Sequence, residues 1–180
     1  PRLPAVDVAP RASRHRRVLK LAHAAITEAS DVFGGLALPL TLVTGARDDA
    51  SGPMLDDLAS LLGERVDGAR SRHVAAGAAG VFLALLDAAH RIERGEARAV
   101  LIAGADTMLD LVRLDALQVS RRVLVDDVMD GFLPGEGAAA LVVTGDAPGG
   151  LATIAVTGVA RDAFRHEGDH ALTGDGLTEA

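Results

Sequence analysis

The 180-residue chain contains no cysteine, so neither a disulfide framework nor a thiol nucleophile can be built from it. Aromatic residues are almost missing: four phenylalanines, with no tryptophan or tyrosine, make up 2% of a chain that is 49% apolar. The core must therefore come from Ala, Val and Leu, a composition that suits helices packed closely on a sheet. A basic surplus is absent as well. Net charge is −7 and no basic cluster is interleaved with aromatics, which argues against a nucleic-acid partner. No apolar run approaches the ~20 residues of a membrane span, and no charged-then-apolar signal segment opens the chain. A cytoplasmic protein with no membrane contact is the expectation.

The length fits one domain with a sizeable core, or one domain and part of another. The single basic run, Arg11 to Lys20, is expected to be the solvated face of a helix. The chain opens on Pro1, with Pro4 and Pro10 following, and stops at Gly174-Asp175-Gly176-Leu177-Thr178-Glu179-Ala180, a stretch resembling the start of a helix. A fragment, cut at both ends, is expected.

Periodicity places the elements. Residues 11–30 form a helix carrying Val18, Leu21, Ala22, Ala25, Ile26 and Ala29 on one side, and Leu40 to Thr44 a short strand. A helix follows from Pro53 to Leu62, with Gly63 just past its end. Residues 71–95 are helical, with an apolar stripe of Phe82, Leu85, Leu86, Ala89 and Ile92. Ala99 to Ala103 and Ala138 to Thr144 are continuous apolar runs of strand length, each expected to be buried. Met108 to Leu117 forms a short helix between them. Asp146 to Gly150 is the clearest linker, and Leu151 to Val159 a further strand. Strands alternate with helices, so the class is α/β.

The most distinctive stretch is Asp130-Gly131-Phe132-Leu133-Pro134-Gly135-Glu136-Gly137-Ala138, running into the second apolar strand. Glycine is required where the backbone turns with φ > 0 or where another segment approaches closely. An acid between two such glycines is expected to be pinned by backbone N–H donors rather than solvated.

Three blocks in this order resemble the N-terminal half of a β-ketoacyl synthase, a condensing enzyme of thiolase-like fold. They are Ala76-Gly77-Ala78-Ala79-Gly80 leading into the Phe82–Ile92 helix, Arg94 through Ala99 to Gly104-Ala105-Asp106, and Asp130 to Val143. The Leu133-Pro134 variant is closest to a divergent group of ketoacyl-synthase-like proteins. Under this resemblance the fold is a layered α-β-α arrangement: residues 1–146 are the N-terminal half, and residues 151–180 begin the C-terminal half.

The resemblance also implies a chemistry. The family places a cysteine at the start of the nucleophile helix, where helix dipole and a neighbouring base hold a thiolate that accepts an acyl group. Histidines from the second half then serve decarboxylation and oxyanion stabilisation. Counting back three residues from Gly80 puts the nucleophile position at Gly77, which is vacant. No serine or threonine lies within that turn. His166 falls near the first catalytic histidine, one residue out of register, with Arg165 in the expected place; the lysine and second histidine would lie beyond Ala180. Asp130, Gly131, Phe132, Gly135, Glu136 and Gly137 are implied to be structural residues near the site.

The implied function is a β-ketoacyl-[acyl-carrier-protein] synthase-like protein of fatty acid or polyketide biosynthesis that lacks classical condensing activity because the nucleophile position is Gly77, any chemistry left to it being non-cysteine. A non-catalytic, chain-length-factor-like partner of an active synthase is the alternative. The implied partners are acyl carrier protein or an acyl thioester, carried on phosphopantetheine as substrate, with no resident cofactor. A homodimer, or a heterodimer with a synthase, is implied as well, pairing through Ala99–Ala103.

A different class is opened by His166-Glu167-Gly168-Asp169-His170, which matches the H-E-x-x-H pattern of zinc peptidases. Gly168 and Asp169 are poor helix formers, however, and no third ligand follows. No metal site is expected. His23, His73 and His90 are expected to be packing or surface residues. Neither Gly45 to Asp48 nor Gly131 to Gly137 fits a phosphate loop.

Overall fold

The computed structural model describes residues 12–32, 34, 36–45, 53–145, 150–155, 157–160 and 178. Eight elements follow one another: α1 (Arg14–Val32), β1 (Leu40–Thr44), α2 (Met54–Leu62), β2 (Arg72–Ala75), α3 (Gly80–Glu93), β3 (Ala99–Thr107), α4 (Leu111–Val119) and β4 (Glu136–Thr144). The strands form one sheet in the order β2-β1-β3-β4. β1 is parallel to both neighbours, and β4 is antiparallel to β3.

Local chemistry sets the helix ends. Ser13 caps α1, its Oγ accepting from the Arg16 N–H at 3.4 Å. Asp56 and Asp57 sit in the first turn of α2, where the helix dipole favours anions, and Gly63, at φ 56°, ends it. Asp110 caps α4 by accepting from the Arg113 N–H at 3.0 Å.

The sheet has two unlike faces. On one, α1 and α2 pack against it. Val18, Ala22 and Ile26 of α1 and Leu58 and Leu62 of α2 meet Leu40, Leu42, Leu101 and Ala103. On the other, among the described residues, lies α3, pressing Ala84 and Ala88 onto Val43, Val100 and Ile102.

Four expectations about the elements are corrected. Residues 72–75 are strand and not helix, because Arg72 to Ala75 pair in parallel register with Thr41 to Thr44. The stripe on α3 is also different: Gly80, Ala84, Ala88 and Arg91 are buried, whereas Phe82 is 53% exposed. The reason is the closeness of the packing. A Cβ on Gly80 would stand 2.6 Å from Val43 Cγ1, so only small residues fit the sheet-facing side. Gly80→Ala should therefore lower stability by about 1–3 kcal/mol, readable as a reduced urea midpoint; an unchanged midpoint would contradict this packing.

β4 is an edge strand of alternating half-buried and exposed residues, not a buried one. Leu151 to Val159 form no strand among their described residues: nothing pairs with them, and Leu151, Ile154 and Val159 are exposed. β3 is buried over Ala99 to Ala103 as expected. Being paired on both sides, by β1 and β4, it has no free edge for a partner. The pairing expected through Ala99–Ala103 is thereby excluded, and among the described residues the open edges belong to β2 and β4.

Candidate functional site

Charged side chains from four elements meet at one end of the sheet. β3 ends in Asp106 and Thr107 and β4 begins at Glu136, with Thr107 opposite Glu136 and Asp106 opposite Gly137. α1 crosses this end and turns two arginines inward. Arg17 Nη1 donates to both carboxylate oxygens of Glu136, at 3.0 and 2.9 Å. Its side chain is 6% exposed and that of Glu136 18%. Thr107 Oγ1 donates to Glu136 Oε2 at 2.9 Å and accepts from the Leu109 N–H at 3.0 Å.

A second set lies beside the first. Arg14 donates to Asp106 at 2.7 Å and to the Thr107 carbonyl. Arg113 of α4 donates to Asp106 Oδ1 at 3.2 Å and to the same carbonyl at 3.0 Å. Buried charge persists only when paired and hydrogen-bonded, and here each carboxylate has a guanidinium. The network bolts α1 to β3, β4 and the start of α4.

Two expectations change on this geometry. Glu136 is held by the Arg17 guanidinium, one nitrogen donating to both carboxylate oxygens, and by the Thr107 hydroxyl, side chains brought from afar, rather than by the backbone N–H groups of its own glycine turns. The basic run is not merely a solvated face: Arg16 and Lys20 are exposed, but Arg14 pairs with Asp106 at the end of β3 and Arg17 with Glu136 of the distinctive stretch. A sequence signal was present. Arg14 and Arg17 continue the Val18, Leu21, Ala25 stripe backwards at helical spacing, which puts them on the inward side of α1.

Next to this network is an open groove of about 380 Å³ lined by Asp106, Met108, Phe132, Leu133, Glu136 and Gly137, among others. Phe132, Gly135, Glu136 and Gly137 of the expected structural residues thus come together here. Asp130 is exposed and outside the groove, while Gly131 is half-buried. The glycines are not equivalent. A Cβ on Gly131 would lie 2.5 Å from Leu124 N and from Val123 C, whereas Gly135 and Gly137 face open space.

Gly77 does not line this groove. It opens the turn of 3₁₀ helix, Gly77–Ala79, that leads into α3, with φ at 60°, a conformation that L side chains rarely adopt. It offers no side chain to react, and nothing in that turn replaces one. His73 Nε2 is 2.7 Å from Thr44 Oγ1, a strand-to-strand packing contact. His166, and with it the His166–His170 pattern, lies outside the described residues. Among the described residues no group of three or more His, Asp and Glu is placed to hold a metal ion, and no helix is long and apolar enough to cross a membrane.

No protein-family model and no curated protein matches the chain. Solved structures do. A tetronic acid condensing enzyme superposes with a TM-score of 0.50 at 24% identity, over 72% of this chain and 39% of its own. The chain has the thiolase-like fold of the condensing enzymes. Also similar are the 3-oxoacyl-(acyl carrier protein) synthase III of Pseudomonas aeruginosa, with a TM-score of 0.48 and 23% identity over 77% of this chain and 39% of its own, and the priming β-ketosynthase of the R1128 polyketide pathway, at 0.47 and 23% over 73% and 37%. This chain therefore spans about two fifths of the length of the condensing enzymes it matches. The α/β class and layered arrangement expected from the sequence are those of this fold.

Proposed function

We propose that the chain is a β-ketoacyl-[acyl-carrier-protein] synthase-like protein of fatty acid or polyketide biosynthesis that does not carry out the condensation itself. One observation carries the reading: in a condensing-enzyme fold, the turn before α3 holds Gly77 at φ 60°, and these 180 residues contain no cysteine. A glycine cannot form a thioester, so covalent acyl transfer has no acceptor at that position. The ligand in this reading is an acyl thioester on phosphopantetheine, delivered by an acyl carrier protein in the cytoplasm.

The same observation favours a second reading, a chain-length-factor-like subunit that pairs with an active synthase. Both readings share the fold and divide on chemistry. Incubation with acyl- and malonyl-carrier-protein thioesters separates them. Acyl transfer or malonyl decarboxylation would support an enzyme using other groups; inert behaviour with tight binding to a synthase would support the subunit. No observation favours the metallopeptidase.

A further inference from the structure

We infer that β2, together with the Gly77 turn that follows it, is a separately opening unit of the fold, and that Arg91 is the positioning residue that holds it shut. The inference concerns motion and not acyl chemistry, so the outcome of thioester assays leaves it standing. It begins from how unequally the strands are held. β1 gives Leu40, Leu42 and Val43 to the apolar clusters on the two faces, and β3 gives Ala99 to Ala103 and Ala105. β2 gives Val74 alone, and that residue is half-buried. So little apolar burial sets little against the backbone entropy gained on release.

Polar ties take the place of that burial, and they gather just before the strand and at its first residue. Ser71 Oγ accepts from the Leu40 N–H at 2.9 Å and donates to the Asp67 carbonyl at 2.7 Å. Arg72 pairs with Asp87 of α3. Arg91, one turn further along α3, donates from Nη2 to the Arg70 carbonyl at 2.9 Å, and its Nη1 stands 3.7 Å from Asp87 Oδ2. The sheet-facing row of α3 is otherwise Gly80, Ala84 and Ala88. Its one charged member has a side chain only 5% exposed. A guanidinium is costly to bury unless its donors find partners. Both partners of Arg91, the Arg70 carbonyl and the carboxylate that binds Arg72, fasten the start of β2.

The far end of the unit is built to bend. No side chain caps the Gly77–Ala79 turn or the start of α3, and Gly77 has the backbone freedom of a hinge. Release of Arg70 to Arg72 frees the chain as far as Gly77, while α3 stays seated on the sheet through Ala84 and Ala88. The turn at the vacant nucleophile position is thereby tied to a guanidinium at the opposite end of α3.

Native-state hydrogen exchange of the full chain tests this. In the wild type the β2 amides bonded to β1 should exchange about a hundredfold faster than the β3 amides bonded to β1, each relative to its intrinsic rate. Arg91→Met should speed β2 by a further factor of about ten or more, and the milder Ser71→Ala by about threefold. Leu58→Ala removes core on the other face, which stays packed when β2 opens. It should speed exchange in β3 and leave β2 unmoved, a split that shows β2 opening by itself. Where Arg91→Met is too unstable to measure, Ser71→Ala decides. Wild-type β2 amides as slow as those of β3, β2 exchange unmoved by the latch substitutions, or β2 and β3 speeding together in Leu58→Ala would each overturn the inference.

Discussion

Gly131→Ala is expected to be the most damaging glycine-to-alanine change among the described residues, lowering stability by about 3 kcal/mol or more. The added Cβ would stand 2.5 Å from Leu124 N, 2.5 Å from Val123 C and 2.6 Å from Val123 O. All three are backbone atoms, so no side chain can swing aside. The segments are also tied together: the Leu124 N–H donates to the Phe132 carbonyl at 3.0 Å, and the Phe132 N–H donates to the Arg122 carbonyl at 2.9 Å. If the strain opens this region locally instead of unfolding the whole chain, amide exchange at Leu124 and Phe132 should accelerate before the global midpoint moves. Gly135→Ala is the matched control, because its Cβ meets nothing within 4 Å. That variant should be neutral, or more stable by up to about 1 kcal/mol through a less flexible unfolded chain. Equal effects at the two glycines would contradict the packing described.

Arg17→Ala should be nearly as harmful, at about 3 kcal/mol, because it strips a largely buried carboxylate of its guanidinium partner. Thr107 alone would then hold Glu136. Replacing both members by neutral residues of similar size, Arg17→Met with Glu136→Gln, should recover much of the loss, since the desolvation of two charges disappears with their attraction. The diagnostic is the double-mutant cycle, read from urea unfolding, which should give a coupling of about 1.5 kcal/mol or more. Simple additivity would mean that the ion pair between Arg17 and Glu136 contributes nothing to stability.

Much of the architecture was legible because short apolar runs leave few choices. β1 and the core of β3 lie where their runs of Leu, Val, Ile and Ala lie, and α2 starts one residue after Pro53 and stops at Gly63. Two of the misreadings, at β2 and on α3, share one physical origin, the abundance of alanine. In Val74-Ala75-Ala76-Gly77-Ala78-Ala79 no residue speaks strongly for strand or helix, and the parallel pairing of β2 with β1 decides the matter. On α3, large residues were expected to face inward; Leu85 and Ile92 do pack against the sheet-side cluster, but its centre admits only Gly80, Ala84 and Ala88. The face bearing Phe82 is left outward, a feature that periodicity alone cannot reveal.

The candidate site was legible in outline and not in its connections. The signature block pointed to Glu136 as a held carboxylate. Its partners, Arg17 and Thr107, come from 119 and 29 residues away in sequence. Only the register of β3 against β4, with α1 laid across them, brings the three together. The glycines of the same block divide once neighbours are known: Gly131 is forced by backbone contact, while Gly137 lies on an open face.

The central proposal is that Gly77 leaves the nucleophile position of this condensing-enzyme fold vacant. It is tested most directly by the intact mass of the full chain after incubation with an acyl pantetheine thioester. The expected result is an unchanged mass, because Gly77 offers no atom to acylate. A stable adduct of one acyl group per chain, mapped to Thr107 or another side chain of the groove beside Glu136, would contradict it.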